Sequence, residues 1–341
     1  MGYVGPVLVA HLRHCLPDSQ LIGFDSGLFA SCVTASGALP ERRLNTQHFG
    51  DMREFPEAIL RGVDAVVHLA GVSNDPIGNR FENVTDEINR AASIRLAQMA
   101  AEAGVGRFVF ASSCSVYGAA EGDARKETDP LNPLTAYARS KVMTEQALEQ
   151  MDARGMTITS LRFATACGMS DRLRLDLVLN DFVAAASMSG SIAVLSDGTP
   201  WRPLIDVRDM ARAIEWAISR TPEKGGHTLI VNVGTSERNH RIRELAEAVA
   251  AELPGTSISI NEAALPDARS YRVDFSLFEK LAPRHQPQCT LQDSIRSLIE
   301  GIRATGIRDQ EFRNSAVGIR LNTVSALINA GLLDHDLRWR Y

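Results

Sequence analysis

Apolar positions along the chain follow two different periods, which predicts an α/β protein. Apolar runs of strand length end in small or turn-forming residues at 20–24, 64–71, 108–112, 156–162 and 228–233. Longer segments with apolar residues at helical spacing lie between them, at 86–104, 135–154 and 290–304. Short buried strands that alternate with helices are typical of a parallel sheet covered by helices on both faces. The pattern therefore predicts a doubly wound fold.

The order of the elements changes after Gly168. A mixed set of segments follows at helix 175–188, strand 192–196, strand 228–233 and helix 239–252. The segment 305–341 carries a short amphipathic stretch at 323–332, and nothing in it indicates a function. The sequence thus predicts a large first domain, a smaller second lobe and a tail that packs on the domain or on a dimer partner.

Composition excludes several classes of protein. The 341 residues are 45% hydrophobic and 23% charged, which is ordinary for a globular chain, and the net charge is −5. No basic block occurs, so we expect no nucleic-acid partner, and no apolar run is long enough to predict a membrane span. Five cysteines are scattered without a CxxC pair, at positions 15, 32, 114, 167 and 289. They favour a reducing, cytoplasmic compartment and argue against disulfides and against a metal site.

The stretch from Phe108 to Lys141 carries the candidate chemistry. It reads FVFASSCSVYG, then a polar loop, then NPLTAYARSK, so a predicted strand enters a loop and then a helix. Tyr137 and Lys141 are four residues apart and share one helix face. A phenol beside an ammonium can act as a base near neutral pH, because the positive charge favours the phenolate. A bare Tyr and Lys at this spacing is common on helix surfaces; the preceding strand and Ser113 at its end favour a site.

The start of the chain looks like the end of a glycine-rich turn. Gly2 and Gly5 precede an apolar segment that is helical by period. Asp25 follows the first predicted strand, where a carboxylate can bond ribose hydroxyls and repel a 2′-phosphate, which favours NAD over NADP. His68 lies within a buried strand, and we expect it to be a structural imidazole. Cys114 is expected to be a small buried residue.

These motifs resemble the extended short-chain dehydrogenase/reductases, specifically the NAD-dependent nucleotide-sugar epimerase/dehydratase family of the UDP-galactose 4-epimerase type. The resemblance covers roughly residues 2–300 and implies a Rossmann domain at 1–168, a substrate lobe at 169–304 interleaved with the last Rossmann elements, and a tail at 305–341. It implies NAD as cofactor, a nucleotide-diphosphate sugar as substrate and a homodimer. The implied catalytic residues are Ser113, Tyr137 and Lys141. The implied cofactor contacts are Gly2, Gly5, Asp25, Asp51, Met52, Leu69, Ala70, Gly71, Tyr137, Lys141 and Phe163.

The same resemblance implies the substrate contacts. Arg202 and Arg269 match arginines that grip the diphosphate, and their planar forks suit phosphate oxygens. Thr165 stands where many relatives carry an asparagine that contacts the sugar phosphate, with Asn180 as a replacement, and Ser113 is expected to bond the reacting oxygen. Dehydratases of the dTDP-glucose type carry an Asp-Glu pair where this chain has Cys114 and Ser115.

The resemblance favours epimerisation through a 4-keto sugar. Net 4-dehydrogenation, dehydration and a non-catalytic NAD- or sugar-binding role stay open as alternatives. One part of the family pattern is missing from this sequence: no first Rossmann strand and no first glycine of its turn precede Gly2. We expect from this that the natural product is about ten residues longer, since an unpaired buried strand edge costs on the order of 1–3 kcal/mol for each orphan group.

Overall fold

Strands and helices alternate along most of the chain in a computed structural model, which describes residues 1–34, 39–73, 75–120, 122–264, 270–305 and 312–340. The strands are β1 Ile22–Asp25, β2 Thr46–Phe49, β3 Ala65–His68, β4 Arg107–Ser113, β5 Thr157–Phe163, β6 Thr165–Cys167, β7 Ser191–Val194, β8 Trp201–Asp206, β9 Thr228–Val233, β10 Asn239–Arg241 and β11 Ser257–Ile260. The helices are α1 Val4–Cys15, α2 Asp75–Arg80, α3 Glu82–Asp86, α4 Ala92–Glu102, α5 Ala136–Gln150, α6 Val178–Ser189, α7 Val207–Ser219, α8 Ile242–Glu252, α9 Ser276–Leu281, α10 Leu291–Thr305 and α11 Arg320–Asn329.

A four-stranded parallel sheet in the order β3-β4-β5-β9 forms the centre of the molecule. Its two middle strands are buried on both faces, since Phe108 and Ile158 on one face and Val109 and Leu161 on the other are almost inaccessible to solvent. Continuous apolar runs suit such strands because helices cover both sides of the sheet. The predicted parallel α/β sheet is therefore confirmed, and β9 joins it from far along the chain.

The strands β1 and β2 form a separate parallel pair. Residues of β1 and of β3 line the same large cleft, so the two sheets face one another across it. Among the residues that the structure describes, no strand pairs with the inner edge of β1 or of β3. The sheet is thus divided at the place where the resemblance expects its first strand.

The second lobe contains two small sheets, β10-β8-β6 and β11-β7, with α6, α8 and α10 packed around them. Three predicted boundaries are wrong here. Helix α6 begins at Val178 rather than at residue 175, and strand β7 ends at Val194 rather than at residue 196. Residues 239–241 do not begin a helix, because they pair antiparallel with β8.

The predicted helix 86–104 is interrupted near its start. A π-helical turn spans Glu87–Ala91 before the regular helix α4. Within this turn the Asn89 side chain accepts a hydrogen bond from Val72 N at 2.7 Å and donates to Val72 O at 3.0 Å. Turns of this kind occur often at functional sites, and this one fixes the loop that follows β3.

The tail packs on the first domain of its own chain. Val324, Leu333 and Leu337 are buried against Val72 and Phe81. Its helix α11 begins three residues before the predicted amphipathic stretch. No helix in the described part of the chain combines the length and the apolar character needed to cross a bilayer.

Candidate active site

Helix α5 carries the tyrosine and the lysine into the cleft. Thr135 begins the helix by accepting a hydrogen bond from Ala138 N at 3.2 Å, which fixes the first turn. One turn separates Tyr137 from Lys141, so both side chains project from the same face. The Lys141 ammonium is buried, with 4% of the residue exposed, and donates to Ala111 O of β4 at 2.7 Å. The helix is therefore tied to the sheet at the candidate catalytic pair.

Burial and nearby rings define the electrostatics of Lys141. Its Nζ lies 4.5 Å from the centre of the Phe110 ring and 5.5 Å from that of Tyr137. Burial lowers the pKa of Lys141 to about 8, while the Glu145 carboxylate acts in the opposite direction. The group still carries most of its charge at neutral pH. A cation in this position favours ionisation of the neighbouring phenol.

Ser113 completes the predicted triad at the end of β4. Its hydroxyl accepts a hydrogen bond from Ser115 N at 3.2 Å. Ser113, Tyr137 and Lys141 all line one cleft of about 1910 Å³. The structure therefore brings the three predicted catalytic residues to one cavity, at the carboxyl ends of parallel strands, where ligands bind in such folds.

A buried ion pair beneath the triad was not predicted. Arg162 of β5 binds the Glu145 carboxylate of α5, with Nη2–Oε2 at 2.7 Å and Nε–Oε1 at 3.0 Å. Both side chains are at most 4% exposed. Ser112 also donates to Glu145, and Arg162 Nη1 donates to the Tyr117 hydroxyl at 3.0 Å. This network joins α5 to β4 and β5, and it holds the helix that presents Tyr137.

The predicted dinucleotide contacts lie at the other end of the cleft. Gly2 and Gly5 line it at the start of α1, where no side chain caps the helix amides. Such free amides suit phosphate oxygens, so a pyrophosphate fits this position. Leu69, Ala70 and Gly71 line the cleft after β3. A Cβ at Gly71 would lie 2.9 Å from Asn89 Oδ1, so only glycine allows this close packing.

Asp25 and Asp51, two of the predicted NAD contacts, line the cleft, and each has a protein partner. Asp25 accepts from Gly27 N at 2.7 Å and pairs with the amino group of Met1. Asp51 binds the Arg53 guanidinium through both carboxylate oxygens. Burial opposes the ionisation of Asp51, but the bonds from Arg53 outweigh it and lower the pKa of the carboxyl. Met52, next in the chain, is buried and lines the cleft.

The tail reaches this end of the cleft, which the sequence did not indicate. Trp339 Nε1 donates to Ser26 O at 2.6 Å, directly after β1 and Asp25. Arg338 pairs with Glu54 at 2.6 Å and lies 3.9 Å from Asp51. Leu337 lines the cleft itself. The last residues thus brace the loops after β1 and β2.

The second lobe supplies the remaining wall of the cleft. Thr165 of β6 and Arg202 of β8 line the cleft here, and Phe163 lines it from the end of β5 in the central sheet. Arg174, which was not predicted, also lines it and pairs with Asp176 at 2.8 Å. Burial disfavours the charge on Arg174, but Asp176 outweighs this effect and raises the pKa of the guanidinium.

One predicted substrate residue does not line the cleft, and another lies outside the described residues. Asn180 does not line the cleft: it is fully buried and bonds Gly168 N at 3.0 Å and Arg174 O at 2.8 Å. Its amide binds backbone atoms of Gly168 and Arg174, so Asn180 is not part of the proposed substrate site. Arg269 lies outside the described residues.

Two residues that the sequence assigned to structure are buried as expected. His68 bonds Ser93 Oγ at 2.7 Å, and burial, with a smaller effect of Lys141, lowers its pKa to about 3. Cys114 donates to Arg162 O at 3.1 Å, and burial raises the pKa of its thiol well above the usual value. Both are therefore neutral at pH 7, and neither acts as a base.

Sequence comparison finds UDP-glucose epimerases among the similar proteins. The UDP-glucose 4-epimerase of Azospirillum brasilense is 30% identical over 285 residues, which cover 75% of this chain and 77% of that protein. The uncharacterized UDP-glucose epimerase YtcB of Bacillus subtilis is 30% identical over 203 residues, and the match spans 59% of this chain and 62% of YtcB.

Solved structures share the fold over nearly the whole chain. MoeE5 in complex with UDP-glucuronic acid and NAD superposes with a TM-score of 0.74 at 25% identity, covering 89% of this chain and 96% of MoeE5. The NDP-hexosamine 5,6-dehydratase TunA reaches a TM-score of 0.77 at 20% identity, over 91% and 96% of the two chains, and supports the fold alone. The profile of the NAD dependent epimerase/dehydratase family matches residues 1–234. The expected resemblance is thereby confirmed, and the chain belongs to the NAD-dependent epimerase/dehydratase family.

Proposed function

We propose that the chain is an NAD-dependent nucleotide-sugar epimerase that acts through a transient 4-keto sugar. The observation that carries this proposal is the position of Lys141, buried on Ala111 O beside the Tyr137 ring at the wall of the cleft. A lysine held there by the sheet serves no surface role. It places a positive charge where a phenol must lose and regain a proton.

The residues present fit NAD. The uncapped amides at the start of α1 offer donors to a pyrophosphate, and Asp25 offers acceptors to the ribose hydroxyls. Lys141 would hold the second ribose while it favours the phenolate of Tyr137. When bound, NAD supplies the acceptor and then the donor of a hydride.

The wall of the second lobe would bind the nucleotide sugar. Arg202 and Arg174 bring positive charge to the cleft, and Thr165 offers a hydroxyl beside them. Ser115 also lines the cleft, and its buried hydroxyl has no hydrogen-bond partner among the described residues. The names of the similar proteins support a UDP-sugar as the first substrate to test.

The order of proton movements follows from the positions of these groups. Tyr137 would take the proton of the C4 hydroxyl while Ser113 holds the same oxygen, and Tyr137 would return it after the sugar has presented its other face. Elimination of water needs a further acid and base. Cys114 is neutral and buried, and Ser115 carries no carboxylate, so epimerisation is favoured over dehydration.

The experiment is a panel of UDP-, GDP-, dTDP- and CDP-sugars incubated with the protein and NAD. We expect exchange between 4-epimers, with no net accumulation of reduced cofactor. Steady formation of NADH would favour a 4-dehydrogenase, and loss of water would favour a dehydratase. Binding without turnover of any sugar in the panel would favour a non-catalytic relative.

A single variant tests the role of the phenol. Tyr137→Phe removes only the ionisable oxygen, so activity should fall by about a hundredfold or more while NAD and sugar binding stay nearly unchanged. Activity above about a tenth of the parent would remove Tyr137 from the proposed role. The homodimer and the cytoplasmic location stay predictions, which light scattering and cell fractionation would test.

A further inference from the structure

A second cluster of reactive side chains lies away from the cleft. His11 and Cys15 are one turn apart on α1, and Glu215 projects towards them from α7. One potential ligand atom from each of the three lies within 4.8 Å of the other two. None of the three residues lines the cleft, and the proposed reaction uses none of them.

The distances within the cluster suit a small tetrahedral ion. Cys15 Sγ lies 3.6 Å from His11 Nε2, and the same nitrogen lies 2.7 Å from Glu215 Oε2. Around a zinc ion with bonds of about 2.0–2.3 Å, neighbouring ligand atoms lie about 3.3–3.7 Å apart. The thiol and imidazole are already at that separation. To bind the ion, the imidazole and the carboxylate would lose their direct hydrogen bond and move apart by less than about 1 Å.

His285 lies beside the cluster, outside the group of three residues whose ligand atoms lie within 4.8 Å of one another. Its Nε2 lies 3.8 Å from Glu215 Oε1, whereas His11 contacts the other carboxylate oxygen, Oε2. Its backbone is fixed, because His285 N donates to Ala282 O at 2.9 Å. Arg212 further holds this loop by donating to Arg284 O at 3.0 Å. The imidazole is therefore presented by a braced segment rather than by a free loop.

Charge and exposure agree with a bound divalent cation. The side chains of His11, Glu215 and His285 are 18%, 24% and 24% exposed and Cys15 is exposed, so an ion could reach the cluster from solvent. A thiolate and a carboxylate would together neutralise a divalent ion. Thiolate and imidazole ligands favour zinc over magnesium or calcium.

We propose that His11, Cys15 and Glu215 form a zinc site that joins α1 to α7, and that His285, in the loop after α9, becomes a further ligand when its side chain moves towards the ion. The sequence argued against a metal because its cysteines are scattered without a CxxC pair, and Glu215 and His285 are far from His11 and Cys15 along the chain. Folding brings them together where α1 packs on α7. The site would fix the helix whose first turn faces the cleft, without taking part in the reaction.

Cobalt(II) is the probe, added to the reduced full chain, because it replaces zinc and reports its ligands by absorption. We expect one equivalent to bind, with a near-ultraviolet thiolate band and the visible bands of a tetrahedral ion, and zinc should abolish both. Cys15→Ser should remove the thiolate band. His11→Gln and Glu215→Gln should each weaken binding by at least about tenfold, since even changes around metal ligands cost that much.

Matched controls separate this site from adventitious binding. His14→Gln changes an exposed histidine of the same helix, and Cys289→Ser changes another free thiol. Both should leave the bands and the affinity unchanged. A thiolate band that survives in Cys15→Ser, or is lost in Cys289→Ser, would overturn the proposal, as would the absence of cobalt binding by the folded parent. Unchanged affinity in His285→Gln would remove His285 from the site.

Discussion

The two sides of the cleft are built in opposite ways. The catalytic side, formed by β3, β4, β5, β9 and α5, rests on paired strands and on the buried Glu145–Arg162 contact. The nucleotide side, formed by β1, β2, the start of α1 and the tail, has only a two-stranded sheet and exposed apolar surface, with Phe49 64% exposed. Its loops are held by ion pairs and by Trp339 rather than by a continuous sheet.

The contrast shows where this fold is rigid before a ligand binds. Breaking one partner of a buried ion pair typically costs about 3–5 kcal/mol, whereas an exposed pair contributes about 0–1 kcal/mol. Arg162 and Glu145 are 4% and 1% exposed, but Arg338 and Glu54 are 41% and 71% exposed. The side chains that we propose for proton transfer are thus held in place before a ligand binds. The nucleotide side would gain order when NAD binds.

The largest predicted effect tests the buried pair directly. Arg162→Met leaves the Glu145 carboxylate without its partner in the interior, so the free energy of unfolding should fall by about 3–5 kcal/mol. Urea unfolding measures it. Arg338→Met is the matched change on the nucleotide side and should cost less than about 1 kcal/mol. Equal losses in the two variants would contradict the comparison.

The second prediction concerns the loss of stability at acid pH. It depends on a residue of β3, the strand at the border between the two sides. His68 of β3 is neutral when folded because burial lowers its pKa to about 3, whereas the unfolded chain takes up the proton near pH 6.5. The unfolded state therefore binds more protons between these values, and stability falls as pH falls. From pH 6.5 to 4.5 this one group should remove about 2 kcal/mol.

His68→Phe tests that assignment, since the histidine already packs beside Phe108 and Phe110. Ser93 keeps a partner in this variant, because its hydroxyl also donates to Asn89 O. The variant should lose about 2 kcal/mol less than the parent between pH 6.5 and 4.5. Parallel stability curves for the two proteins would assign the acid sensitivity to other groups.

The third prediction would remove the difference between the two sides. A strand of about ten apolar residues that ends in glycine, fused ahead of Met1, should pair with the inner edges of β1 and β3. Hydrogen bonds to the backbone donors and acceptors of these unpaired edges should stabilise the chain by about 1–3 kcal/mol or more. The control is an equal extension with alternating prolines, which cannot donate to a sheet. The same melting temperature for both fusions would show that the gap does not accept a strand.

The smallest effect is expected at the tail. Trp339→Ala removes the hydrogen bond to Ser26 O beside Asp25. NAD affinity should fall by about 1 kcal/mol, roughly fivefold in Kd, with turnover at saturating NAD unchanged. Calorimetry measures the affinity. Arg340→Ala, on an exposed side chain nearby, should leave it unaltered; a turnover defect in Trp339→Ala would place the tail closer to the chemistry.

The sequence predicted the catalytic side better than the nucleotide side. Strand β4, helix α5 and the Tyr137–Lys141 pair are visible because they depend on local period and spacing. The Glu145–Arg162 pair joins two separate elements and leaves no local pattern. For the same reason the sequence placed Asn180 in the cleft, although its amide bonds turn it towards Gly168, and it missed the contact of the tail with Ser26.

The π-helical turn at Glu87–Ala91 makes the length of this segment as important as its composition. Each residue of a regular helix advances it by about 100°, so a one-residue deletion there would rotate the two ends against each other by that angle. Asn89 could then keep its hydrogen bonds to Val72 only if Ser93 lost its hydrogen bond to His68. Single substitutions would affect these contacts one at a time. An alignment gap of one residue in this turn would therefore mark a relative whose loop after β3 is shaped differently.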